Sequence, residues 1–271
     1  MTKISVIIPC LDIKKTINGC LNSINIQKFK TIKPDIEVIC VVDGNYEDLK
    51  FIKKWKKNNS GNINFKLKTF FLKKNYGAGY ARNYGFKKSK GDFIAFLDDD
   101  DIWNDKKLEI QLNWHLKNPK KILSTHFYSN YNDFVNKRMY SLKEITYRNL
   151  LIGGVRVATP TILIKRKLWL GEPETQRYCE DWLMVAMVAS KQNICIIPKV
   201  LAYRSKSALP IEKDKFSLSN HKFKLRFGKM QALFILYKRK KISSYALLFL
   251  LIIQFLLLLK SSFKVKIRRF I

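Results

Sequence analysis

An α/β fold built on a mostly parallel sheet flanked by helices is the class this sequence predicts, and three observations predict it. Short apolar runs alternate with helix-period segments through the first two hundred residues. The runs are rich in Ile and Val and apolar nearly throughout, the pattern of strands covered on both faces. Several of them end in clustered polar residues, and right-handed crossovers gather such ends on one edge, where open α/β sheets bind ligands.

Taken in order, residues 4–8 read as a buried strand and residues 14–26 as a helix carrying Ile17, Leu21 and Ile24 on one face. Residues 36–42 form the second strand, and 46–57 a helix with Leu49, Ile52 and Trp55 inward. A third strand spans 65–72, a helix 78–88 and a fourth strand 92–97. A helix over 104–117 is amphipathic through Leu108, Gln111, Leu112 and His115. Beyond it the rhythm loosens, with extended 161–165, a helix over 180–190 and a strand at 194–197.

Composition narrows the function classes. The chain has 271 residues, 47% of them hydrophobic, which excludes a disordered basic tail for most of its length. The net charge of +31 points first to a polyanionic partner. Lysine supplies most of it, whereas groove reading and bidentate phosphate recognition favour arginine, so nucleic acid is not the expected partner. Five cysteines without a C-x-x-C pair fit reduced, buried thiols, and three scattered histidines make no zinc spacing. Pro9 interrupts the first apolar run, which is therefore not the pattern of a signal peptide.

Chemistry concentrates at strand ends. Asp98-Asp99-Asp100-Asp101 follows the apolar run 93–97. Adjacent carboxylates repel one another, and such a cluster either holds a divalent cation or caps the next helix from solvent. Magnesium or manganese would take one or two of these carboxylates and complete its shell with water and substrate phosphates.

The ordered set Val6-Ile7-Ile8-Pro9, Val42-Asp43-Gly44, the run 79–85 with Arg82-Asn83, the run 91–103 and Glu180-Asp181-Trp182 resembles the family 2 glycosyltransferases of GT-A fold over about residues 3–205. The resemblance implies a Rossmann-like nucleotide-binding half and an acceptor half. Asp98-x-Asp100 would be the family's Asp-x-Asp motif, with Asp98 facing the nucleotide ribose, Asp99 counted among the substrate contacts and Asp100 binding Mn2+ or Mg2+. Asp43 would receive the base, Pro9 would begin the loop beneath it and Arg82 would sit near the diphosphate. A bland alternative makes Arg82 a helix-surface residue paired to a carboxylate. Glu180, Asp181 and Trp182 would face the acceptor, Asp181 taking the proton of its hydroxyl in a single inverting displacement; otherwise Asp181 serves only the helix dipole.

Two departures from the family pattern stand out. Val42 precedes Asp43 where many relatives have a second acid, and Lys206 follows Tyr203-Arg204-Ser205 where many have a histidine. Lys206 could supply charge to the diphosphate but no metal ligation at neutral pH. The chain has no Gln-x-x-Arg-Trp, so a processive synthase is not expected. Arg156 and Thr159-Pro160-Thr161 are acceptor-side residues without an assigned role.

Residues 242–259 carry no charge and are basic on both sides. As a helix they would be about 27 Å long, barely the roughly 30 Å of a bilayer core. A segment in the membrane interface or a shallow re-entrant helix fits better than a span, with a buried core helix as the alternative. The expected organisation is thus an enzymatic domain over 1–235, divided at 103/104, and a membrane-associating tail over 236–271. The expected function is transfer of one sugar from a nucleotide sugar, a UDP-sugar first, to a lipid-linked or surface-glycan acceptor at the cytoplasmic face of the inner membrane. Rivals are another metal-dependent nucleotide enzyme, such as a nucleotidyltransferase, and a non-enzymatic polyanion-binding protein. The first would need a Gly-rich basic loop after the first strand, which Cys10-Leu11-Asp12-Ile13 does not supply.

Overall fold

The computed structural model of the chain describes residues 2–129, 141–152, 155–168, 178–205 and 222–267. Among them, nine strands share one sheet. The first half is the expected alternation: β1 (Lys3–Cys10), α1 (Ile17–Asn25), β2 (Asp35–Asp43), α2 (Tyr46–Asn58), β3 (Lys66–Leu72), α3 (Ala78–Lys88) and β4 (Phe93–Phe96). Its four strands run parallel in the order β3-β2-β1-β4. Period-two alternation puts Ile4, Val6 and Ile8 of β1 into one core with α1 and α2, and Ile7 into a second core with Ile94 and Phe96. Both faces of the central strands are thereby covered, which explains why they read as largely apolar runs.

The second half departs from the expected rhythm. It comprises β5 (Asp101–Trp103), α4 (Lys107–Lys117), β6 (Leu123–Ser129), β7 (Glu144–Ile145), α5 (Tyr147–Leu151), β8 (Leu163–Lys165), α6 (Glu180–Ala189) and β9 (Ile194–Arg204). The sheet continues β4-β8-β6-β9-β5, with β7 also on β9, and its short ladders β4–β8, β8–β6, β9–β5 and β9–β7 are antiparallel. The expected strand 194–197 runs on to Arg204 because β6 lies parallel to it from Cys195 to Tyr203, with register shifts on the way. The expected extended segment 161–165 begins instead as a 3-10 turn over Thr159–Thr161.

Pro9 lies inside β1, in register with Val41, so the strand ends at Cys10 and the loop starts two residues later than the sequence suggests. A helical hairpin, α7 (Lys222–Lys238) and α8 (Ser244–Ile267), follows. Lys240 closes α7 in a left-handed conformation, returning the N–H groups of Lys240 and Lys241 to Tyr237 and Leu236. Ala232, Leu233 and Leu236 of α7 pack with Leu247 and Leu250 of α8 against Leu183 and Ala186 of α6. The outer face of α8 exposes Tyr245, Leu248, Phe249, Ile252, Phe255 and Leu256, each at least half open. Among the described residues no helix is long and apolar enough to cross a membrane. Cys10, Cys20 and Cys40 are buried, Cys179 and Cys195 partly so, and all five thiols are free.

Candidate functional site

The strand ends of the parallel half meet the start of α6. Asp43 closes β2, and its carboxylate accepts from the backbone N–H groups of Tyr76 (2.8 Å) and Gly77 (2.7 Å). Gly44 permits this approach: it sits at φ +92°, and a Cβ there would lie 2.6 Å from the nitrogen of Asn75. The 74–77 loop is thus tied down over the end of β2 and leads into α3 with Gly77 at its N-cap. Tyr76 and Tyr80 stack there, ring centroids 4.6 Å apart.

The four consecutive aspartates divide by direction. Asp99 accepts from the Thr16 hydroxyl (3.1 Å), and Asp101, the first residue of β5, accepts from the Tyr128 hydroxyl (2.6 Å). Burial, then the neighbouring Asp100 and Asp98, hold both carboxyls well above the usual range. Asp98 and Asp100 are instead partly open, each side chain 28% exposed and each paired with an arginine. Asp100 pairs with Arg204 of β9 at 2.9 Å. An Asp-x-Asp pair is therefore set off by backbone geometry: the turn returns the N–H of Asp101 to the carbonyl of Asp98 and sends alternate side chains apart.

Arg82 of α3 ties the two halves together. It is 8% exposed, and its Nη2 donates to Asp98 Oδ1 at 2.5 Å while its Nη1 donates to Glu180 Oε1 at 3.0 Å. Burial opposes the guanidinium charge, but Asp98 and Glu180 more than offset it and hold its pKa above the ordinary value. The helix-surface reading of Arg82 is therefore corrected, although its pairing to carboxylates is real.

Glu180 and Asp181 open α6. Burial, then the adjacent Asp181, push the Glu180 carboxyl up to about 7, with Arg82 pulling it back. Burial also raises Asp181, again against Arg82. Asp181 Oδ1 accepts from the Trp182 N–H at 2.7 Å. Asp181 shares a small cleft with Gly79, Arg82, Phe96, Thr159, Glu180 and Met184, so the structure brings Thr159 to the site, while the Thr161 hydroxyl is turned away to Thr125 (2.6 Å). A carboxyl held partly desolvated beside such a cleft can accept a proton from a hydroxyl.

As a cation site the arrangement is minimal. Among the described residues no group of three or more His, Cys, Asp or Glu side chains converges. Magnesium or manganese, however, needs only one or two protein carboxylates when phosphates complete its shell, and the partly exposed Asp98 and Asp100, one residue apart, fit that demand. Lys206 lies outside the described residues. Of the residues the sequence left unassigned, Arg204 was visible beside Tyr203, whereas Thr16 and Tyr128 gave no signal, since only the tertiary fold brings them to the aspartates.

The Glycosyl transferase family 2 model matches residues 5–170. An uncharacterized glycosyltransferase of Rickettsia conorii is 32% identical over 211 residues, 74% of this chain but 32% of its own length. This chain thus spans about a third of that relative. The Escherichia coli UDP-Glc:α-D-GlcNAc-diphosphoundecaprenol β-1,3-glucosyltransferase WfgD is 29% identical over 194 residues, 72% of each chain. Among solved structures, a mannosyltransferase from Pyrobaculum calidifontis in complex with GDP-Man and Mn2+ superposes with a TM-score of 0.67 at 17% identity, covering 89% of this chain and 65% of the other. That likeness shows a GT-A-like fold.

Proposed function

The chain belongs to glycosyl transferase family 2, and on that premise we propose that it transfers a single sugar, with inversion, from a UDP-sugar to a lipid-linked or surface-glycan acceptor. The observation that carries this is the Arg82 fork, which holds the donor-side Asp98 and the acceptor-side Glu180 on one guanidinium and so brings Asp181 into the same cleft. The acceptor hydroxyl oxygen bonds to the anomeric carbon, its proton passes to the Asp181 carboxylate, and the bond from that carbon to the nucleoside diphosphate breaks. Glu180 and Trp182 frame the acceptor. Asp98 faces the nucleotide, with Asp99 turned behind it onto Thr16, while Pro9 and Asp43 underlie the base, Asp43 through the loop it ties down. Lys206 meets the diphosphate when the donor is bound. Asp100, with Asp98, would hold Mn2+ or Mg2+, which supplies charge neutralisation for the departing diphosphate. The Escherichia coli relative's UDP-Glc donor and diphosphoundecaprenol acceptor, and the Pyrobaculum protein's Mn2+, support these choices.

Residues 1–235 form the enzymatic unit in this reading, with a nucleotide half over 1–103 and an acceptor half over 104–235. Residues 236–271 rest on the cytoplasmic face of the inner membrane. The exposed apolar face of α8 and the basic run Lys238 to Lys241 support this. A panel of sugar nucleotides assayed with Mn2+ tests the activity, with Asp181→Asn as control. Wild-type turnover of at least one donor is expected, and the variant loses roughly 10²–10⁴-fold in transfer while keeping UDP binding. Full transfer by Asp181→Asn would defeat the base assignment.

A further inference from the structure

Beside Asp181 the acceptor side changes sign. α7 packs so tightly on the segment before α6 that a Cβ at Gly228 would lie 2.6 Å from both Cβ and O of Tyr178. The next residue, Lys229, sets its ammonium 4.1 Å from the centre of the Trp182 ring. One turn earlier, Arg226 is held by Gln254 of α8 at 3.1 Å. The exposed Arg156 is near enough to act electrostatically on Asp181, Arg226 and Lys229. Among the described residues no acid forms an ion pair with any of these three cations. The buried indole N–H of Trp182 also has no acceptor among the described residues. Burial, with Arg226 and Arg156, brings the Lys229 ammonium down to about 8 despite the nearby Cys179 and Asp181. Clustered cations that repel one another and form no ion pair among the described residues are arranged for an anion that arrives from outside.

We propose that Arg156, Arg226 and Lys229 form a subsite for the phosphate or diphosphate that joins the acceptor sugar to a lipid chain. The proposal rests on the reading of Asp181 as the group that receives the acceptor proton. The placement accounts for two facts together. Lys229 lies over the ring of Trp182, the neighbour of Asp181 in sequence, and both Lys229 and Arg156 interact electrostatically with that carboxylate, so an acceptor hydroxyl at Asp181 would bring the anomeric end of a short acceptor toward these cations. Arg226 and Lys229 lie on the same helix as the exposed Phe223 and Phe227, and that helix packs on α8, whose outer face is apolar. A sugar, an anionic linker and a hydrocarbon tail would meet a carboxylate, a cationic cluster and an apolar face in that order.

Farnesyl diphosphate is a suitable probe, titrated into the full chain in neutral detergent with saturating UDP to block the donor pocket and without divalent cation. Farnesol, inorganic diphosphate and phosphatidylglycerol vesicles serve as the other arms. Wild-type protein should bind farnesyl diphosphate more tightly than farnesol or inorganic diphosphate. The Arg226→Gln/Lys229→Gln variant should lose about tenfold or more of that affinity with farnesol binding unmoved, and Arg226→Lys/Lys229→Arg should keep most of it. Arg156→Gln, an exposed change outside the packed helices, should weaken binding in the same direction and guards against a folding artefact. Unchanged farnesyl diphosphate affinity in a folded charge-removed variant overturns the subsite. So does equal wild-type affinity for inorganic diphosphate, which would indicate free phosphate. A loss confined to phosphatidylglycerol vesicles would assign the cations to bilayer headgroups and also overturn it. Wild-type protein that binds the prenyl diphosphate but no UDP-sugar would instead overturn the glycosyltransferase reading alone.

Discussion

The two halves of the sheet solve different problems with the same backbone. In the nucleotide half four parallel strands are linked by successive crossovers, and long unbroken ladders such as β1–β2 and β2–β3 carry the register. In the acceptor half β6 and β9 are long but pair with register shifts, whereas β5, β7 and β8 have two or three residues each, and antiparallel pairings of three residues stitch β4 to β8 and β9 to β5. Local contacts make the first half a self-sufficient platform, whereas the second depends on polar side chains to hold its pieces in place. The difference teaches that the reaction site is a seam, and that a few buried polar pairs hold it together.

Breaking the seam should have the largest effect. Arg82→Ala leaves Glu180 and Asp98 without their common partner. Removing one member of a buried ion pair costs about 3–5 kcal/mol, to be read by denaturant unfolding, and transfer should fall with it. Arg82→Lys should recover part of the stability but not the two-sided geometry, because an ammonium cannot present two fixed donors.

A smaller and more local test separates the halves. Tyr128→Phe removes only the hydroxyl that meets Asp101 and should cost about 1–3 kcal/mol. Hydrogen exchange should show the loss first in β5, β6 and β9, with β1 to β3 unmoved. Equal loss in β1 to β3 would contradict the division.

The smallest effect is acid sensitivity. His115 and His126 lie in the acceptor half, and no histidine occurs in residues 1–103. Burial pushes His115 down to about 4 and His126 down to about 3. Their folded values lie below the unfolded value of about 6.5, so the stability they contribute is complete above that pH and is lost as pH falls toward 4 and then 3. Melting temperature should decline over that range, and His126→Gln should flatten the decline. An unaltered slope in the variant would show that burial of this ring is not its cause.

The same contrast governs what could be read before the fold was known. Ile4 to Ile8, Val38 to Val42 and Phe93 to Phe96 announce themselves because burial on both faces demands apolar residues at nearly every position, Ser5 being the exception that bonds to Glu37. β7 and β8 do not, because two or three residues acquire strand geometry only from their neighbours. The aspartate run was legible as a site, but its division was not: which carboxylates stay partly open depends on Thr16 and Tyr128, which lie 83 and 27 residues from their partners. Likewise Arg226 and Lys229 were hidden inside a stretch of general positive charge, and only the packing of α7 on α6 separates them from it.

Under the proposed function, the loop clasped by Asp43 bears on selectivity between nucleobases. With both oxygens of that carboxylate engaged by the main chain of Tyr76 and Gly77, discrimination falls to the contour of the loop and to the paired tyrosine rings. Contour is a tolerant reader, able to accept related donors where a dedicated side-chain contact would refuse them. Retuning donor preference in this scaffold therefore calls for rewriting residues 74–77 as a unit, since altering Asp43 would discard the clasp without teaching the pocket a new letter.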